Sequence, residues 1–179
     1  VKPPQALVQP TAWGDYNNDG WLDLLISDIS RRSPGRGSRV RSYGSRRGYQ
    51  EQAPEQEAEE SRPIQLFFLY SSRDGKTFAE VSESAGLPNI GINSAAWADY
   101  NNDGYIDLVL TSIEAGIPPV LYKNSPKFKF EDVSSAAGLT EQGSVSMNLT
   151  WVDYDRDGFV DLFQAGRGKS FLYRNDGDG

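Results

Sequence analysis

One twelve-residue pattern occurs three times in this chain and constrains its fold more than any other feature. The copies are Trp13-Gly-Asp-Tyr-Asn-Asn-Asp-Gly-Trp-Leu-Asp-Leu24, Trp97-Ala-Asp-Tyr-Asn-Asn-Asp-Gly-Tyr-Ile-Asp-Leu108 and Trp151-Val-Asp-Tyr-Asp-Arg-Asp-Gly-Phe-Val-Asp-Leu162. They align without gaps. Their starts lie 84 and 54 residues apart, and the 30-residue excess of the first interval coincides with a stretch of odd composition at 31–62. The underlying period is therefore near 54 residues. A fixed period of that length is the mark of stacked supersecondary units that bury apolar surface only against each other.

More than the acidic loop repeats. Tyr70, Tyr122 and Tyr173 recur downstream of each copy. Phe78-Ala-Glu-Val81 matches Phe130-Glu-Asp-Val133, and Ala85-Gly-Leu87 matches Ala137-Gly-Leu139. Each period reads as four short strands. The first ends at the Trp before the loop, and the second is the apolar run Leu22–Ser27, Ile106–Thr111 or Val160–Gln164. The third is Gln65–Tyr70, Val120–Tyr122 or Ser170–Tyr173, and the fourth is Phe78–Val81 or Phe130–Val133. The runs are β-branched or aromatic and are bounded by Gly, Pro, Asn and Ser turns. Four antiparallel strands per repeat of this length predict an all-β fold built from β-propeller blades. A β-solenoid, with its shorter repeats, is the rival. The expected organisation is an N-terminal extension (1–9), a first blade (10–89) carrying a disordered insert at about 31–62, a second blade (90–142) and an incomplete third (143–179).

Within each loop, positions are counted from the first Asp. Positions 1, 3, 5 and 9 are Asp15, Asn17, Asp19 and Asp23 in the first copy. They are Asp99, Asn101, Asp103 and Asp107 in the second, and Asp153, Asp155, Asp157 and Asp161 in the third. Alternate positions of a tight turn aim their side chains at one point, and calcium is a hard ion that takes about 6–8 oxygen ligands. Gly20, Gly104 and Gly158 at position 6 permit the sharp bend. Position 7 (Trp21, Tyr105, Phe159) is expected to supply a backbone carbonyl, leaving its ring free to pack elsewhere. An EF-hand opens in the same way but needs Glu at position 12 and flanking helices; position 12 here is Ile26, Leu110 or Gln164. A bare hairpin turn needs one Asn-Gly or Asp-Gly pair, not Asp at positions 1, 5 and 9 three times over. Magnesium fits less well because it demands an octahedron and keeps several waters. The reading is three calcium sites. The third, with four carboxylates, is expected to bind most tightly.

Composition narrows the chemistry. The chain has no His and no Cys, which removes the commonest general base, the imidazole metal ligand and any thiolate zinc site. Net charge is −7, but residues 31–62 hold eight Arg and five Glu, so the remainder carries −10. An acidic body suits cations, whereas a nucleic-acid binder shows a basic folded face. No apolar run is long enough for a membrane span. Val1 is not a start residue, which fits a chain whose leader has been removed. Asn148-Leu-Thr150 is a glycosylation triplet by pattern, discounted for its place in a first strand near the hub. Trp13, Trp97 and Trp151 are expected to pack between adjacent blades, with a sugar-stacking platform as the alternative.

The loop motif and the Phe-x-Asp-Val-x-x-x-Ala-Gly-Leu element resemble the FG-GAP/VCBS repeats. They are most similar to the branch that contains cartilage acidic protein and the ASPIC/UnbV proteins. The likeness covers about residues 10–30 and 64–179. It implies a propeller of about seven blades, calcium on the face formed by the loops between first and second strands, and ligand binding on the opposite face. The insert at 31–62 would emerge on that opposite face. Three partial repeats do not make such a ring, so the remaining blades would come from the same or another chain. The expected function is a calcium-stabilised extracellular module for protein or glycan binding or adhesion, secreted or on the cell surface, and not an enzyme. Two alternatives are an accessory or catalytic domain of a secreted hydrolase, and a structural repeat assembling into a larger ring or filament.

Overall fold

The repeated strand signals become repeated sheets. The computed structural model describes residues 8–28, 67–88, 92–112, 116–140 and 146–178; the insert expected at 31–62 lies outside them. The described residues contain eleven strands and no helix. β1 (Val8–Gly14), β2 (Asp23–Asp28), β3 (Phe67–Ser72) and β4 (Phe78–Glu80) form one antiparallel sheet in that order. β5 (Ile92–Ala98), β6 (Asp107–Ser112), β7 (Val120–Lys123) and β8 (Glu131–Asp132) form a second, and β9 (Ser146–Val152), β10 (Asp161–Gly166) and β11 (Phe171–Tyr173) a third. The all-β class and the antiparallel meander of each period agree with the sequence. Each second strand starts at the position-9 Asp, one residue later than its apolar run, because that Asp closes the loop.

Register is as periodic as sequence. Trp13 pairs with Leu24, Trp97 with Leu108 and Trp151 with Leu162. Each pairing of first and second strands also carries a register shift on the side away from the acidic loop. After the fourth strands, Ala85-Gly-Leu87 and Ala137-Gly-Leu139 each close a helical turn. Ala85 donates to the Val81 carbonyl and Ala137 to that of Val133 (2.8 and 2.9 Å). Gly86 and Gly138 end these turns at φ of 81° and 72°, where a Cβ would be strained.

Alternation along the strands builds two cores. Leu25, Phe67 and Leu69 of the first sheet meet Ile92, Leu108 and Leu110 of the second. Val109 and Leu121, on the other face of the second sheet, meet Leu149 and Leu162 of the third. β6 is therefore buried on both faces, and Leu108, Val109 and Leu110 are all fully inaccessible. The forward-facing pair at each period is Leu25 and Leu69, then Val109 and Leu121, then Phe163 and Leu172. The first four are buried, but Phe163 and Leu172 are 40% and 49% exposed. At the other end Trp13 is 54% exposed.

The tryptophans follow this order. The Trp97 ring closes on Gly14 of the first sheet. Trp151 stacks on Tyr100 and donates Nε1–H to the Ala96 carbonyl (3.4 Å). Both pack against the preceding sheet, as expected of wedges between repeats. Asn148 is exposed on β9, so its position in a first strand does not bury it.

Candidate metal centre

The three acidic loops connect the first and second strands of successive sheets, at the same end of each. Each folds through the same backbone conformation. Position 4 (Asn18, Asn102, Arg156) is left-handed at φ of 52°, 55° and 64°. Position 6 follows at 86°, 87° and 93° in Gly20, Gly104 and Gly158. The first of these is tolerated best by Asn among non-glycine residues, which explains Asn in two of the three copies.

The side chains are anchored by the loop's own amides. The position-1 carboxylate accepts the N–H groups of positions 5 and 6. Asp15 takes Asp19 and Gly20 (3.0 and 2.8 Å), Asp99 takes Asp103 and Gly104 (3.0 and 2.8 Å), and Asp153 takes Asp157 and Gly158 (3.1 and 3.1 Å). Position 5 accepts the N–H of position 7: Asp19 from Trp21, Asp103 from Tyr105 and Asp157 from Phe159. Position 3 accepts the N–H of position 5, through Asn17, Asn101 and Asp155.

Position 9 is the deepest. Asp23, Asp107 and Asp161 are all fully inaccessible. Each bridges two chain segments by accepting one N–H from position 2 of its loop and one from the residue two beyond the third-strand Tyr. Asp23 accepts from Tyr16 and Ser72 (3.1 and 2.8 Å), Asp107 from Tyr100 and Asn124 (3.2 and 2.7 Å), and Asp161 from Tyr154 and Asn175 (3.1 and 2.8 Å). Burial pushes the Asp23 carboxyl up to about 6 and the Asp107 carboxyl up to about 7, although these amide bonds favour the ionised form. A buried carboxylate of this kind is an incomplete charge pair, and a cation beside it would relieve the cost of ionisation.

In the third loop the carboxylate oxygens of Asp153, Asp155 and Asp161 lie within 4.8 Å of one another. Those are positions 1, 3 and 9. The matching trios in the other loops, Asp15, Asn17, Asp23 and Asp99, Asn101, Asp107, supply two carboxylates and an amide. Asp157, at position 5, is outside the converging three. Its Oδ1 accepts from Phe159 and its Oδ2 from Arg174. All donors are oxygens, and the chain has neither Cys nor His, so the set fits a hard divalent ion.

The aromatic position 7 covers the neighbouring turn. Trp21 lies on Gly75 and Phe159 on Gly177, both at positive φ and both too close for a Cβ. Tyr105 meets Phe128 at 6.3 Å between ring centroids.

Several residues that the acidic pattern did not single out tie the loops together. Asn18 Nδ2 donates to the Gly104 carbonyl (2.8 Å), and Asn102 Nδ2 to the Gly158 carbonyl (3.2 Å), so each loop holds the next. Asn124 Nδ2 donates to the Tyr16 and Ile106 carbonyls (2.7 and 3.1 Å), and Asn175 Nδ2 to those of Tyr100 and Val160 (2.7 and 3.1 Å). Each of these asparagines clamps a sheet to the preceding loop. Their signal was in the sequence: both stand two residues after the recurring Tyr. Arg174 had no such signal, because its counterparts are Lys123 and Ser71.

No protein-family model matches the chain, and no curated protein matches it at a significant level.

Proposed function

We propose that this chain is a calcium-binding repeat module in which three loops hold calcium as a structural ion and the three sheets are blades of a β-propeller. The face opposite the loops would then bind protein or glycan outside the cell. The observation that carries the calcium reading is the convergence of Asp153, Asp155 and Asp161 on one point. It is reinforced by three loops that fix their acidic side chains with the same amide bonds. Calcium would be held by positions 1, 3 and 9, with position 5 and the carbonyl of position 7 completing an oxygen shell. It would neutralise the buried position-9 carboxylate and lock first, second and third strands together at one end. In that setting an affinity of about 10⁻⁴–10⁻³ M, as in extracellular calcium modules, would suffice to fill the loops.

The propeller reading is supported by the order of the sheets. Consecutive first strands lie side by side, β1 against β5 and β5 against β9. Each meander runs outward from there to its last strand. The resemblance to FG-GAP/VCBS repeats, carried by the loop motif, leads to the same architecture. The hydrolase alternative has no observation in its favour: the one trio of converging carboxylates among the described residues belongs to a repeated loop. The assembly alternative has one, the apolar residues exposed at the two end sheets.

Calcium titration by calorimetry, with melting run in calcium and in chelator, tests the proposal. Binding of about three ions and a melting temperature that falls on chelation are expected; a ligand acting only on the folded state adds about 2.7 kcal/mol at a hundredfold excess over its Kd. No heat and an unchanged melt would reduce the acidic loops to turns.

A further inference from the structure

Counting carboxylates ranks the third loop as the tightest site, since Asp155 stands where the others have Asn17 and Asn101. The surroundings of that extra charge alter the ranking. In the first two loops the position-3 amide donates Nδ2–H to the position-5 carboxylate, Asn17 to Asp19 at 2.9 Å and Asn101 to Asp103 at 3.0 Å. Two carboxylates cannot make that bond. In the third loop Arg174 makes it for them: Nε donates to Asp155 Oδ2 (2.8 Å) and Nη2 to Asp157 Oδ2 (3.3 Å). Its Nη1 is held by Asp176 Oδ1 (2.8 Å), which fixes the guanidinium from the far side. The same sequence position is graded across the repeats. Ser71 is neutral and within 3.4 Å of Asn17 Nδ2. Lys123 Nζ is 3.9 Å from Asp103, and Arg174 grips two loop carboxylates at once.

We propose that Arg174 is a built-in cation of the third loop that sets its calcium affinity, cancelling the advantage of Asp155. The proposal rests on the calcium reading above. Both oxygens of Asp155 and both of Asp157 are engaged, one on a loop amide and one on Arg174. An ion that takes Asp155 and Asp157 as ligands therefore either displaces the guanidinium or binds beside it. Displacement breaks two charge-assisted bonds, which are about twice as strong as neutral ones. Retention leaves a unit positive charge next to a divalent ion. At about 5 Å and with screening close to that of water, such a charge weakens binding about tenfold. Either way the third loop gains nothing over the first from its fourth carboxylate, and its calcium-free form is held in shape by the arginine.

The two effects have opposite signs, and that makes the test specific. Calorimetric calcium titrations and chelator melts are compared for the parent chain, Arg174→Gln and Arg174→Lys. Arg174→Gln is expected to tighten one of the three sites about tenfold while lowering the melting temperature of the calcium-free protein. Arg174→Lys, which keeps the charge and loses the fork, should fall between, and it stands in if the Gln variant does not fold. In the double variant Asp155→Asn/Arg174→Gln, which restores the position-3 amide of the first loop beside an uncharged residue, the third site should return to about the parent's affinity. Unchanged or weaker calcium binding in Arg174→Gln alongside a lowered melt would mean that Arg174 is only a structural contact, and would overturn the proposal while leaving the calcium reading intact. Absence of calcium heat in every protein would overturn both.

Discussion

A carboxylate that is fully inaccessible and accepts two backbone amides, as Asp107 does, has been placed where its charge is costly and its geometry is fixed. Burial raises its folded value to about 7 from an unfolded value near 4. The sign of the linkage follows. The fold favours the protonated acid, so this group's stabilising contribution is complete below about pH 4 and is lost as pH rises through about 7. Asp23, raised to about 6, adds the same trend at slightly lower pH. In chelator the melting temperature should therefore fall between pH 4 and pH 8. Saturating calcium, which takes the ionised form, should flatten or reverse that slope. Melts at several pH values with and without the ion check this, and a chelator melt that rises over the same interval would contradict it.

At the scale of elements, the sheets are joined by side chains more than by backbone ladders. Asn124 is fully buried, and its side-chain amide donates to the Tyr16 and Ile106 carbonyls, one in the preceding loop and one in its own repeat. Asn124→Ala should cost about 2–3 kcal/mol, because truncation strands buried acceptors rather than merely removing a bond. Urea denaturation measures it, and a loss below about 0.5 kcal/mol would mean that water replaces the amide. These elements also show how far the sequence could be read. Strand order and class followed from the period, because alternation and turn residues are local properties. The converging trio Asp153, Asp155 and Asp161 could be read as well, since a nine-residue loop leaves its side chains few directions. The clamps could not be assigned. Asn124 and Asn175 recur visibly, but their partners lie 108 and 75 residues away, and spacing alone carries no information about which carbonyl comes near. Arg174 escaped for a different reason: its role exists only in the copy that has Asp at position 3, so no repetition marks it.

For the whole molecule, the repeat leaves related apolar residues exposed on its two outer sheets. Trp13 is the unburied counterpart of Trp97 and Trp151, and Phe163 and Leu172 are the exposed counterparts of Val109 and Leu121. An end-on copy could therefore reproduce the contact already made twice inside the chain, a head-to-tail arrangement that closes into a ring or extends as a filament. Sedimentation velocity should show association that grows with concentration. Trp13→Glu and Phe163→Glu should each abolish it, and a mixture of the two variants should yield a dimer and nothing larger. A chain that stays monomeric at high concentration would remove assembly from consideration.

The shared placement of the three loops has an electrical consequence. Successive loops are linked by Asn18 and Asn102, so their acidic groups form one continuous rim while the opposite ends of the sheets carry none of them. Three calcium ions would bring a formal charge of −7 to −1, with every added charge on that rim. Without the ion that rim would present concentrated negative charge to any cationic surface. With the ion, most of that charge would be neutralised. Calcium would then govern which side of the protein a charged neighbour meets first, even where it leaves the backbone unmoved.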